Sequence, residues 1–102
     1  MKIKMPFKKR FKEPMLSTPQ QKIWTSRTRC YGKKGDTFPA FGRKFVLICN
    51  PFLASLGFVS ENWDKEGCGS TEDFVAVWKE IHPRKGFVAS QRVYVHVFRR
   101  VS

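Results

Sequence analysis

The stretch Lys22-Ile23-Trp24-Thr25-Ser26-Arg27 places an amine, two hydroxyls and a guanidinium within six residues, spaced by two large apolar side chains. Ile, Trp and Thr favour extended backbone, so it reads as a short strand leaving a turn at Thr18-Pro19-Gln20-Gln21. On a strand, Ile23, Thr25 and Arg27 share one face. Lys22 belongs to the turn, where its four-carbon stem bends back toward Thr25. A Thr hydroxyl becomes a nucleophile when a neighbouring base takes its proton, and a Lys amine does that only when neutral. A nearby Arg and partial burial both lower a Lys pKa, because each disfavours the ammonium. By spacing alone, Lys22 and Arg27 are equally well two more cations of a basic chain.

On the N-terminal side, Met15 and Leu16 anchor the chain ahead of the turn. Residues 7 to 13 place Phe7, Arg10 and Phe11 at i, i+3 and i+4 of a short helix stopped at Pro14, with Lys8, Lys9 and Lys12 outward. Ile3 to Phe7 reads as an edge strand, Pro6 removing one ladder donor. On the C-terminal side, Gly32-Lys33-Lys34-Gly35 is a turn and Asp36 to Phe41 a strand with Pro39 at an edge or bulge. Gly42-Arg43 is a tight connection into Lys44 to Cys49, which is apolar on both faces and therefore a central strand. Asn50-Pro51 breaks it, and Phe52 to Gly57 crosses over. Phe58 to Glu66 reads as a helix ending at Gly67. Ser70 caps the next helix with Asp73 three residues on; Phe74, Val77, Trp78 and Ile81 form its apolar stripe, and Pro83 follows its end. Gln91 to Val101 is the last strand, Val93, Val95 and Val97 alternating with Tyr94, His96 and Phe98. Short strands joined by Gly-containing turns suit a small barrel. The expected fold is α+β, one domain over 1–102, with five or six mostly antiparallel strands and two or three helices packed outside.

The 102 residues carry a net charge of +12, with 41% apolar residues and ten Phe. Six of the first twelve residues are Lys or Arg, while residues 61–80 hold six of the eight acids. A chain so divided is expected to attract polyanions on one side and repel them on the other, which points to RNA, DNA or nucleotides. No apolar run approaches the roughly twenty residues of a membrane span. The start, Met1 to Pro6, lacks the apolar middle of a signal peptide, so the cytoplasm is the expected location. Cys30, Cys49 and Cys68 form no CxxC pair, and His82 and His96 complete no zinc spacing, so reduced thiols and no metal or other cofactor are expected.

Leu16 to Arg27, followed by Tyr31-Gly32-Lys33-Lys34-Gly35-Asp36, resembles the signature of the ASCH family: Leu, Gly-x-Lys, two residues, Thr, one residue, Arg, then a Gly-Asp turn. Lys22, Thr25 and Arg27 take the Lys, Thr and Arg places and Gly35-Asp36 the turn; Gln20 stands where the family has Gly, after a longer lead-in. The resemblance implies a PUA-like barrel over nearly the whole chain. It also matches Glu66 to a carboxylate that faces the motif Lys and Thr; on its own, Glu66 is an ordinary Glu before Gly67-Cys68-Gly69.

The first expected function is binding of RNA, or of a nucleoside or nucleotide, in a basic pocket around Lys22, Thr25 and Arg27, by a monomer. Lys33, Lys34 and Arg10 are candidate nucleic-acid contacts, and Arg84 and Lys85 a second possible clamp. Trp24 is a candidate for stacking on a base, against the alternative of filling the barrel. The second expectation, implied by similarity to a bacterial ASCH-like subgroup, is an amidohydrolase of N4-acetylcytidine in which Lys22 activates Thr25 and Glu66 is the acid. A ribonuclease using His96 or Lys22, and a non-catalytic interaction module, are further readings.

Overall fold

The computed structural model describes Met1–Val101. A 3₁₀ turn, Lys9–Phe11, leads into α1, Lys12–Leu16, then β1 (Trp24–Arg27), β2 (Thr37–Ala40), β3 (Arg43–Leu47), β4 (Phe52–Ser55), α2 (Leu56–Glu61), α3 (Thr71–Ile81) and β5 (Arg92–Arg100). The five strands form one curled antiparallel sheet in the order β1-β5-β3-β2, with β4 pairing β5 off this path. This is an α+β fold in which a half-barrel carries three α-helices. Among the described residues, no helix is long and apolar enough to cross a membrane.

β5 is the strand on which the sheet turns. Tyr94 to Val97 pair with β1, Arg92 to Val95 with β4, and Phe98 to Arg100 with β3. Both of its edges are therefore paired, and both of its faces are also buried: Val93 and Val95 enter one core with Trp24, Leu56, Val59, Phe74 and Trp78. Phe98 enters the other with Met15, Phe38, Phe45 and Leu47. The rings of Phe38, Phe45 and Phe98 pack at centroid separations of 5.4 to 5.7 Å, within the range that aromatic pairs prefer.

Several local expectations meet a different outcome. Pro14 does not stop the first helix; it lies within α1, where a first-turn N–H has no intrahelical acceptor to lose. The opening segment contributes an isolated parallel bridge, Lys2 to Thr37, not a strand. Phe52–Ser55 is strand β4, not a crossover. The helix after it begins earlier, because the Ser55 hydroxyl accepts from Phe58 N at 3.1 Å, and it ends at Glu61. Pro39 lies on β2, at the sheet edge, as its missing donor requires. Ser70 caps α3, but the Asp73 carboxylate reaches Gly69 N at 2.9 Å, one residue before the cap.

His96 is fully buried where β1 meets β5. Its Nε2 accepts the backbone N–H of Tyr31 at 3.1 Å, which puts the proton on Nδ1, facing Thr25 O and Tyr94 O at 3.1 Å. Both nitrogens are committed to backbone, so His96 is a framework residue with no lone pair free to act as a base. Burial holds its pKa below the usual histidine value. A group with a depressed folded pKa stabilises the fold above its unfolded pKa and loses that contribution as pH falls. Thermal unfolding should therefore show stability falling from pH ~6.5 downward. His96→Gln should flatten most of that slope; partly exposed His82, also depressed by burial, should supply a smaller slope of the same sign.

Candidate functional site

The site is assembled by the turns at 62–67, which the sequence reading places inside a helix. Lys65 O accepts both Ile23 N and Trp24 N at 2.9 Å, fastening these turns to the entry of β1. That acceptor is available because α2 has ended, and it carries the neighbouring Glu66 against Lys22. Gly67 permits the approach: its φ is +80°, and a Cβ there would lie 2.8 Å from Lys22 Cβ. On the other side, Gln20 Nε2 donates to Lys22 O at 2.8 Å while its Oε1 accepts from Arg100 N at 2.7 Å. The Gln at this position thus ties the turn before β1 to the end of β5.

Lys22 is 2% exposed. Its Nζ donates to Glu66 O at 2.7 Å and Trp24 O at 2.9 Å, faces Glu66 Oε1 at 3.5 Å, and sits 4.2 Å from the centre of the Phe11 ring. Burial pulls its pKa below the ordinary lysine value; Glu66 opposes this and Arg27 adds to it. The other carboxylate oxygen of Glu66 accepts from Ser26 Oγ at 2.8 Å. Thr25 Oγ1 accepts from Arg27 Nε at 3.0 Å, and Arg27 Nη2 donates to Pro6 O at 2.6 Å. The Arg27 guanidinium stands 4.9 Å from the Phe7 ring and 5.6 Å from the Tyr31 ring, whose other cationic neighbour, Arg29, is at 4.8 Å.

These groups line a cleft of about 390 Å³ between β1, the segment Pro6 to Phe11 and α3. Phe7, Phe11, Tyr31, Phe74 and Trp78 supply most of its apolar wall. The buried Trp78 Nε1 has no acceptor among the described residues. Cys68 also lines the cleft, but burial pushes its thiol up to about 11, so it stays protonated and weakly nucleophilic at neutral pH. Two ion pairs join the walls: Lys8 to Glu80 at 2.6 Å, and Arg10 to Asp73 through two contacts of 2.6 and 3.1 Å. The acidic segment therefore packs beside the basic N-terminal one, and the expected division into opposite faces does not hold here.

Of the residues singled out in the sequence, Lys22, Thr25, Arg27 and Glu66 meet at the cleft. The hydroxyl that touches the carboxylate is that of Ser26, and the Lys22 amine contacts Trp24 O and Glu66, with no hydrogen bond to Thr25 Oγ1 among the described residues. Trp24 turns to the opposite side of β1 and packs in the second core, its ring edge-on to Phe52 at 6.0 Å. The Arg10 charge is committed to Asp73. Lys33 and Lys34 are exposed on a turn outside the cleft, their backbone N–H groups held by Asp36 and Asn50. Ser26, Tyr31 and Gln20 carry roles the sequence reading does not assign. For Tyr31 a signal existed, an aromatic between basic residues just after the strand; for Gln20 and Ser26 there was none, since both roles depend on partners at least forty residues away.

Removing one partner of a buried ion pair strands the other charge. Lys22→Met should destabilise the fold by about 3–5 kcal/mol in denaturant unfolding, and adding Glu66→Leu should recover most of that loss. In comparisons with family models, with curated proteins and with solved structures, nothing matches this chain.

Proposed function

We propose that the cleft receives the base of an RNA residue or of a free nucleotide, and that the cationic surface around it holds the backbone. The observation that carries this reading is the composition of the cleft. Aromatic rings surround a buried carboxylate, a hydroxyl and a guanidinium in a volume of about 390 Å³, within the usual range for small-molecule pockets. A base has π-faces that stack on aromatic or Arg planes and an edge of donors and acceptors that polar side chains read. Glu66 accepts from an amino or imino group, Arg27 donates to a carbonyl, and the Trp78 indole N–H is a further donor. Twenty Lys and Arg stand against eight acids, an excess of positive charge that suits a phosphate backbone. The ASCH resemblance around Lys22, Thr25 and Arg27 points the same way.

A second reading, hydrolysis of N4-acetylcytidine, is favoured by one observation: an amine of depressed pKa, a buried carboxylate and two hydroxyls share the cleft. In this reading Lys22 takes the Thr25 proton and Thr25 Oγ attacks the acetyl carbonyl. Lys22 hands that proton to the Glu66 carboxylate, which passes it to the leaving amine as the amide C–N bond breaks; water then releases acetate from the acyl ester and returns a proton to Thr25 Oγ. Lys22 must first leave its present acceptors to reach Thr25.

Binding of a short RNA should weaken steeply with added salt. Tyr31→Ala should weaken it by roughly tenfold, consistent with loss of ~1–3 kcal/mol of stacking per base. Lys9→Ala, on the exposed 3₁₀ turn outside the cleft, should change both affinity and salt slope little. Equal effects of the two substitutions, or an affinity flat with salt, would count against the binding reading. Incubation with N4-acetylcytidine decides the second: release of cytidine and acetate, lost in Thr25→Ala, supports it, and no release across pH leaves binding alone.

A further inference from the structure

The aromatic cleft has a neighbour. Beyond Thr28 and His82, which line both, lies an open recess of about 550 Å³ formed by Lys85, Ser90, Gln91 and Arg92, with Val88 at its side. Its chemistry is unlike that of the cleft. Two cations, two hydroxyls, an imidazole and an amide converge there, and none of its lining residues is acidic. Neither Lys85 nor Arg92 is in an ion pair among the described residues, whereas Lys8 and Arg10 across the cleft are both taken up by carboxylates. The Gln91 side-chain oxygen is buried with no donor among the described residues. A half-turn of the amide would put its N–H₂ end, a donor suited to an anion, in the place of that oxygen.

We infer that this recess is a phosphate subsite, and that the two cavities together take a nucleotide: base in the aromatic cleft, sugar across Thr28 and His82, phosphate between Lys85 and Arg92. This rests on the base-binding reading of the cleft and narrows it, because it selects phosphorylated nucleotides or an RNA strand over bare nucleosides. The fold supports the placement. Thr28 directly follows β1, whose last residue Arg27 pairs with Tyr94, so the chain leaving the cleft passes beside the start of β5, where Arg92 stands. His82 is the C-cap of α3, its ring 4.2 Å from that of Trp78, so it closes the cleft on one side and faces Lys85 on the other. Burial and the Lys85 charge both lower the His82 pKa, as expected of an imidazole beside a cation with no anion present. A bound phosphate would reverse the sign of that field.

The test compares the four common ribonucleosides with their 5′- and 3′-monophosphates, by titration calorimetry and by the His82 ring signals in NMR. At least one monophosphate should bind tenfold or more tightly than its nucleoside. In a Lys85→Gln/Arg92→Gln variant the monophosphate should fall to the nucleoside's affinity, with nucleoside binding unchanged. On monophosphate binding the His82 pKa should rise in the native protein and not in the variant. Equal affinity of nucleoside and monophosphate, or an advantage that survives in the variant, overturns the subsite. If neither class binds, it is the base reading of the cleft that fails, and inorganic phosphate then judges the recess alone. A His82 shift lost in the variant upholds an anion site there, and no shift overturns it.

Discussion

The buried contact between Lys22 and Glu66 is the constraint around which the rest of the molecule is arranged. An ammonium out of water needs acceptors for its hydrogens, and here they come from Trp24 O, Glu66 O and the Glu66 carboxylate. Each of these demands something of the chain. The turns at 62–67 must press onto β1, Gly67 must lack a side chain, and Gln20 must hold the Lys22 carbonyl from the far side. Buried ion pairs add little to stability beyond what apolar residues of the same size would add. What this pair accomplishes is placement: it holds one carboxylate oxygen toward Ser26, at the floor of an apolar cleft.

The cleft exists because the two cores do not merge. β5 serves both, burying Val93 and Val95 on one face and Phe98 on the other, and α3 contributes to each core through different residues. Where the Pro6 to Phe11 segment and α3 approach across the free edge of β1, rings line the gap without filling it. The ion pairs that bridge the gap are largely exposed, so salt weakens them, while the walls themselves are held by burial.

Charge follows the same logic. A chain with net charge +12 attracts polyanions at long range, but local pairing decides which cations remain free for a ligand. The N-terminal cluster, densest in the sequence, gives Lys8 and Arg10 to α3. The sparser pair Lys85 and Arg92 stands at a recess without acids. Density along the chain and availability in space are different quantities.

The periodicities near each element carried much of the architecture. The stripe of α3, the alternation of β5, the apolar run of β3 and the Pro at a sheet edge are local properties, and each element formed near its pattern, although β3 ends at Leu47, and Ile48 and Ile81 are exposed. The meeting of Lys22, Thr25 and Arg27 was also legible, since they lie within six residues of a strand and its turn. That Glu66 joins them was implied by resemblance alone, because nothing near Glu66 distinguishes it. The tertiary structure decided the rest: that Ser26 is the hydroxyl on the carboxylate, that Trp24 faces the core, and that Arg10 is spent on Asp73. Backbone pattern is written in neighbours a few residues apart, whereas the partner of a buried charge is chosen by a chain returning from forty residues away.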